Sequence, residues 1–415
     1  MLHTPLISVA AVVCASLLLF VTPTNWITWP YLLLLGSLLL VHLGNANRWL
    51  KLGLAAFATL VVVPLVGAEN GALMNVSIMV AINVALALGL NLVVGFAGLL
   101  DLGYVAFFAT GAYVYSIFAS PQAARFLPRV FESLPMGLPG DWFWLFLPVA
   151  VLAAAGAGVA LGLPVLRLRG DYLAIVTLGF GEIIRILANN LDRPVNLTNG
   201  PQGITPIAPP ALFGMTLGKA VHFYYIAFAL MVLTILLMGR LADSRIGRAW
   251  AAIREDETAA RAMGVPLVRM KLPAFSTGAA FAGAMGMVFA VKQTFINPES
   301  FTFMESIVIL AMVILGGLGS IPGAVIGAVT VTVLRMQVLT ETANWLTRFH
   351  LPPALNLAKY QPLIFGLILI LMMRYRREGL LPARRTPVDI DGLGGVGDAA
   401  RGARGDQAVR RTHSG

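Results

Sequence analysis

Three groups of residues carry polar chemistry in a chain that is otherwise apolar. The first is the stretch 240–272, which gathers Arg240, Arg245, Arg248, Arg254, Arg261, Arg269 and Lys271. From Arg248 to Met263 it has no glycine or proline and much alanine, which predicts a helix. Glu257 and Arg261 stand four apart, the spacing of a helical ion pair. Trp250, Ile253, Ala260 and Met263 fall on one side of that helix, Gly264 ends it, and Pro266 follows. A short helix with an apolar side, set between two apolar runs, must rest on something: the bilayer surface or another protein. The second group is Glu182 and Arg185, three apart in the apolar run 171–189, where mutual pairing lowers the cost of both charges. We expect a structural pair at a translocation interface rather than a direct ligand. The third is Asn91 and Asp101, which flank a glycine-rich break. Irregular backbone at membrane depth is tolerated only where it faces protein or a wet cavity. A half-helix end there offers amides or carbonyls to a zwitterionic substrate. The alternative places Asp101 at the cytoplasmic boundary and has Asn91 bond a neighbouring helix.

Other chemistries find no residues to perform them. A nucleotide-hydrolysing loop needs Gly-x-x-x-x-Gly-Lys-Ser/Thr after a strand, and the chain has none. Gly179-Phe180-Gly181 sits inside an apolar run and opens no phosphate loop. There are no paired carboxylates, no Ser/His/Asp set and no zinc spacing; the five histidines are scattered, and Cys14 is the single cysteine. The expectation is a non-enzyme without cofactor or metal, so active transport would draw on an ion gradient or on another chain. Gly319, Gly323 and Gly327 repeat every fourth residue, a spacing that lets helices approach closely.

The elements that position these groups follow from composition. The chain has 415 residues, 58% hydrophobic and 12% charged, against about 25% charged in soluble domains. Lipid must therefore serve as part of the solvent. Runs of spanning length fall near 6–22, 28–44, 52–68, 73–93, 103–120, 143–163, 171–189, 221–239, 273–293, 303–317, 321–340 and 358–374. The glycine-rich stretches 94–102 and 316–323 are candidates for broken or re-entrant segments, so ten to twelve spans are expected in an all-α polytopic bundle. With a cytoplasmic N-terminus and twelve crossings, twenty Lys and Arg lie inside against six outside. This bias explains the net charge of +10 without nucleic acid. Met1 to Thr22 reads as a retained first span rather than a cleaved signal. Residues 190–220 form the largest outside loop of the core, with a turn at Asn199-Gly200-Pro201. Residues 375–415 read as a disordered cytoplasmic tail.

Several blocks together resemble the permeases of branched-chain amino acid ABC importers. Glu257-Thr258-Ala259-Ala260, then Gly264 and Leu272-Pro273, is similar to the EAA segment of ABC importer permeases, with Thr258 standing between the glutamate and the alanines. The run Asp243-Ser244-Arg245-Ile246-Gly247-Arg248-Ala249 extends the likeness. Further blocks are Gly89-Leu90-Asn91 to Gly98 with Leu102-Gly103-Tyr104, Phe107 and Gly111-Ala112-Tyr113; Arg169-Gly170-Asp171-Tyr172 with Thr177 to Glu182; Thr198 to Ile204; and Gly316 to Gly323 with Gly327. The resemblance spans roughly residues 73–374, and the added spans before residue 70 resemble the larger permease of such pairs, the LivM type. It implies a core permease domain over 71–374 and additional transmembrane helices over 1–70. It implies an inner-membrane subunit that works with a second homologous permease, two ATP-binding subunits that hold the ATP, a periplasmic substrate-binding protein and membrane lipid. Arg248, Trp250, Ile253, Glu257, Ala259, Ala260 and Gly264 would then couple to the ATP-binding subunit. Asn91, Asp101, Tyr104, Glu182 and Arg185 are candidate pathway residues. Urea or amide importers share these blocks, and a stand-alone secondary transporter, which would need buried carboxylates such as Glu182 and Glu305, is the rival of a different class.

Overall fold

The computed structural model describes residues 48–340 and 360–382, except 130, 132–133, 166–167, 169, 194, 213 and 377–378, together with Val12, Cys14–Ser16, Leu18 and Leu33. All but those few residues of the expected first two spans, and most of the tail, lie outside the described residues. Nearly every uncharged run forms helix, as it must where no water can satisfy the backbone. Helix α1 (Arg48–Phe57) passes through a wide turn at Ala58–Val62 into α2 (Val63–Glu69). Helix α3 (Gly71–Asn91) ends in a second wide turn, Leu92–Phe96. After a non-helical stretch come α4 (Val105–Phe118) and α5 (Gln122–Phe126). Then follow α6 (Phe143–Val165), α7 (Asp171–Asn190), a two-strand ribbon of β1 (Ala211–Leu212) and β2 (Met215–Thr216), and α8 (Ala220–Ala242). The polar segment folds as α9 (Arg245–Glu255) and α10 (Glu257–Ala262). The rest are α11 (Leu267–Gln293), α12 (Phe303–Gly316), α13 (Ile321–Val333) and α14 (Gln361–Tyr375).

Seven helices among the described residues are long and apolar enough to cross a membrane: those spanning 71–96, 140–165, 172–190, 220–242, 267–293, 298–316 and 321–338. Two of them are central: helices 71–96 and 267–293 are mostly buried, whereas 140–165, 172–190 and 220–242 are mostly uncovered. The peripheral helices leave Leu152, Ile175, Ile186 and Leu236 exposed, which in a bilayer is the face offered to lipid or to another subunit.

The links between helices sort to two ends. At one end Ala208 N–H donates to the Ala119 carbonyl (2.8 Å), Ile204 pairs with Ile296 (2.8 and 3.2 Å), and the Trp144 indole N–H donates to Ala211 (2.9 Å). At the other end Leu102 N–H donates to Thr177 Oγ1 (3.0 Å), and Leu380 and Leu381 N–H donate to the Leu315 and Gly316 carbonyls (2.9 and 3.0 Å). Residues 380 and 381 are thus ordered against the end of α12, although the stretch 375–415 reads as disordered from composition. Their backbone donors find the carbonyls that α12 leaves free at its C-terminus. The polar segment lies at this second end, since the Trp250 indole N–H donates to Met270 O in the first turn of α11.

The central helices touch backbone to backbone. A side chain at Gly111 in α4 would strike the Gly283 carbonyl of α11, and one at Gly283 would strike Ala154 of α6 and stand 2.8 Å from the Ala150 carbonyl. Small residues are how membrane helices gain close packing where no hydrophobic drive separates lipid from protein. Gly156, on the same α6, has nothing within 4 Å of a built Cβ. Gly111→Leu should therefore cost about 1–3 kcal/mol or more by overpacking, and Gly156→Ala should be neutral. Thermal unfolding in detergent, followed by loss of monodisperse protein, checks both: the first lowers the midpoint by several degrees and the second leaves it in place.

Candidate functional site

The polar segment is built from local capping. Ser244 starts α9 by accepting from Gly247 N–H (3.2 Å). The continuous helix expected from Arg248 to Met263 is broken at Asp256, whose backbone is extended (φ −154°). The reason is a competing cap: the Asp256 carboxylate accepts from Thr258 N–H (2.7 Å) and Ala259 N–H (3.0 Å) and starts a new helix. The amides of Ala259 and then Thr258 hold this carboxyl below its ordinary pKa. At the far end Val265 N–H donates to Ala260 O and Gly264 N–H to Arg261 O, both 3.0 Å, around a left-handed Gly264 (φ +86°). This is the two-bond glycine stop that closes many helices.

The break also changes which faces meet the body. Trp250, Ile253 and Ala260 are buried as the shared apolar side requires, but Met263 is 85% exposed. It sits past the kink, at the end of α10, and no longer shares a face with α9. The expected Glu257–Arg261 pair is only 4.0 Å apart, whereas Glu257 lies 3.0 Å from Lys271, a lysine almost wholly buried in α11. A buried ammonium needs a counter-charge more than an exposed guanidinium does. Arg248, Ala259 and Gly264 stay exposed, and Arg248 Nη1 donates to Asp243 O (3.0 Å). The segment is therefore pinned on one side and open on the other.

Beneath it lies the break after α3. Asn91 is fully buried; its Oδ1 accepts from Gly319 N–H (2.9 Å) and its Nδ2 donates to Ser320 O (3.2 Å). It clasps the turn between α12 and α13, which is the neighbouring-helix role, and both its polar atoms are engaged. Arg254, in the last turn of α9, donates through Nη1 to the Gly95 carbonyl. Asp101 is buried, accepts from Gly103 N–H (2.9 Å) through Oδ1, and leaves Oδ2 without a hydrogen bond. Tyr104 is buried and its hydroxyl donates to Gly278 O in α11 (2.9 Å), beside Gly89 of α3, where any side chain would displace it. Val105 N–H, at the head of α4, donates to Ser306 Oγ (3.1 Å).

The other candidates are placed apart from this junction. Arg185 pairs with Glu182 (2.9 Å) and also with Glu299 (2.9 Å), before α12. Lys292 donates to Asn75 and to Gln293 Oε1 (3.1 Å). Gly323 and Gly327 pack α13 on α12: a Cβ at Gly323 would stand 2.6 Å from Gly316 O, and one at Gly327 would strike Met312 O. Gly319 belongs to the preceding turn, at φ +77°. Arg335, which has no partner legible in the sequence, donates to both carboxylate oxygens of Glu305 (2.8 and 2.6 Å). Arg254, Lys271, Thr177 and the Arg335–Glu305 pair are the positions that sequence reasoning left unassigned. A lone charge within an apolar run is the only signal that marks Arg335 beforehand.

A family model described as branched-chain amino acid transport system / permease component matches residues 72–373. The high-affinity branched-chain amino acid transport system permease protein LivM of Salmonella typhimurium is 41% identical over 334 residues, covering 75% of this chain and 70% of that protein. The protein of the same description from Escherichia coli K12 is 39% identical over 349 residues, covering 79% and 74%. LivH of Salmonella typhimurium, a permease protein of the same described system, is 27% identical over 263 residues, covering 58% and 77%. No solved structure matches the chain.

The Arg335–Glu305 pair gives a test of the helix arrangement. Each side chain is about one-third exposed (33% and 34%). Arg335→Met should therefore destabilise by about 1–3 kcal/mol, less than a fully buried pair would lose. Adding Glu305→Met should recover part of it, because the stranded carboxylate goes too. A double-mutant cycle on detergent unfolding midpoints reads the coupling.

Proposed function

Because the chain belongs to the family of branched-chain amino acid transport-system permease components, we propose that it is the membrane-spanning subunit of an ABC importer that carries leucine, isoleucine and valine across the inner membrane. Residues 71–374 are its core permease domain, 1–70 its additional transmembrane helices and 375–415 its cytoplasmic tail. It works beside a second, homologous permease, a reading supported by its likeness to LivH as well as LivM. Two separate ATP-binding subunits supply the energy, and a periplasmic binding protein delivers the substrate. The end that carries α9 and α10 faces the cytoplasm, as does the N-terminus.

One observation carries the coupling role. Trp250, Ile253 and Ala260 fasten the α9–α10 unit to the chain, while Arg248, Thr258, Ala259 and Gly264 are left exposed on its outer side. Such a unit is a firm, partly uncovered knob that an ATP-binding subunit can push, switching access from one side of the membrane to the other. A secondary transporter working alone is less well supported. Its candidate carboxylates, Glu182 and Glu305, are each engaged by an arginine.

Reconstitution of the complex in proteoliposomes with its binding protein tests the reading. Labelled leucine should accumulate only with ATP, and excess urea should not compete. Gly264→Pro should cut that uptake by about tenfold or more, since proline cannot take the left-handed backbone that closes α10. ATP-independent uptake, or Gly264→Pro with unchanged coupling and assembly, would contradict it.

A further inference from the structure

We propose that Arg254 is the positioning residue through which the α9–α10 unit controls the backbone break between α3 and α4. The inference rests on the reading of that unit as the docking site of an ATP-binding subunit. Four observations converge on this side chain. Its guanidinium donates to the carbonyl of Gly95, in the wide turn that ends α3. Its stem lies on Gly98, where a built Cβ would stand 3.2 Å from its Cγ and 3.3 Å from its Cα. Its Nη1 also lies against Gly319, so that any side chain there would strike it. Finally, Gly319 and Ser320 are themselves clasped by Asn91, one turn before Gly95 on the same helix.

One cation thus closes a ring that joins the polar segment, the end of α3 and the turn between α12 and α13. Carbonyls at a helix C-terminus carry partial negative charge, so an arginine there is held by more than a single neutral hydrogen bond. If α9 shifts, the donor is withdrawn and the buried Gly95 carbonyl loses its charged partner. The cheapest response is rearrangement of 92–104, the stretch that aims α4.

The test uses the full complex in proteoliposomes with Arg254→Gln and Arg254→Lys. Three quantities are read: the ATP-binding subunits retained, ATP hydrolysis, and leucine taken up per ATP hydrolysed. Arg254→Gln should retain the subunits and keep hydrolysis within about twofold, while uptake per ATP falls roughly tenfold, the scale of one lost charge-assisted hydrogen bond. Arg254→Lys keeps a cationic donor but cannot reach Gly95 and Gly319 together, so it should retain about half the parent ratio. An unchanged ratio in Arg254→Gln overturns the inference, and so does a lysine variant no better than glutamine. Should Arg254→Gln fail to assemble, the lysine variant decides: a ratio equal to the parent's overturns the proposal. Failure of the parent complex to bind ATP-binding subunits at all would instead strike the importer reading, and this inference with it.

Discussion

A backbone group freed by a broken helix has no water to bond inside a bilayer, and most of what is particular in this chain follows from that constraint. Between Phe96 and Val105 the main chain leaves the helix, and several groups in and beside this stretch are met by specific partners. Leu99 N–H donates to Val93 O (3.0 Å), Leu102 N–H to Thr177, Gly103 N–H to Asp101, Val105 N–H to Ser306, and the Gly95 carbonyl is met by Arg254. These partners come from α7, α9 and α12 as well as from the stretch itself. The break is therefore a junction where four parts of the chain meet, and a change in any one of them is felt by the others.

The packing of the central helices serves the same junction. Helix α11 lies against α3, α4 and α6 through glycines that admit a neighbouring backbone, and Tyr104 ties α4 to α11 at Gly278, beside Gly89 of α3. Where a carbonyl lies this close to a neighbouring glycine the helices cannot slide without new clashes. Other parts are tied in by side chains: Arg254, the Glu257–Lys271 pair and the Asn91 clasp. All three sit at the end of the molecule that carries the polar segment. A push there is borne by these polar contacts together with the buried side chains of Trp250, Ile253 and Ala260.

Much of this architecture is legible in the sequence. Apolar runs of spanning length mark the helices, and the glycine cluster at 94–102 marks the break, because both depend on local composition. The Glu182–Arg185 pair is legible for the same reason: its spacing is helical and local. What escapes is long-range choice. The sequence offers Arg261 to Glu257, and the fold keeps that pair at 4.0 Å but adds Lys271 at 3.0 Å, whose burial makes the stronger demand. It likewise shows a helix through Asp256, because propensity sums over a window, while one carboxylate with two free amides ahead of it is enough to restart the helix. Arg335 finds Glu305 across α12 and α13, and Arg254 finds Gly95 across 159 residues; no spacing rule reaches so far.

The central claim is that the polar segment rests directly on the broken end of α3. A disulfide measures this most directly. A Cβ built at Gly98 stands 3.4 Å from the Cβ of Arg254, close to the roughly 3.5–4.5 Å that a disulfide spans. In a background with Cys14 replaced by serine, Gly98→Cys with Arg254→Cys should cross-link within the chain under mild oxidant. Absence of the cross-link while both thiols remain reactive would contradict the contact.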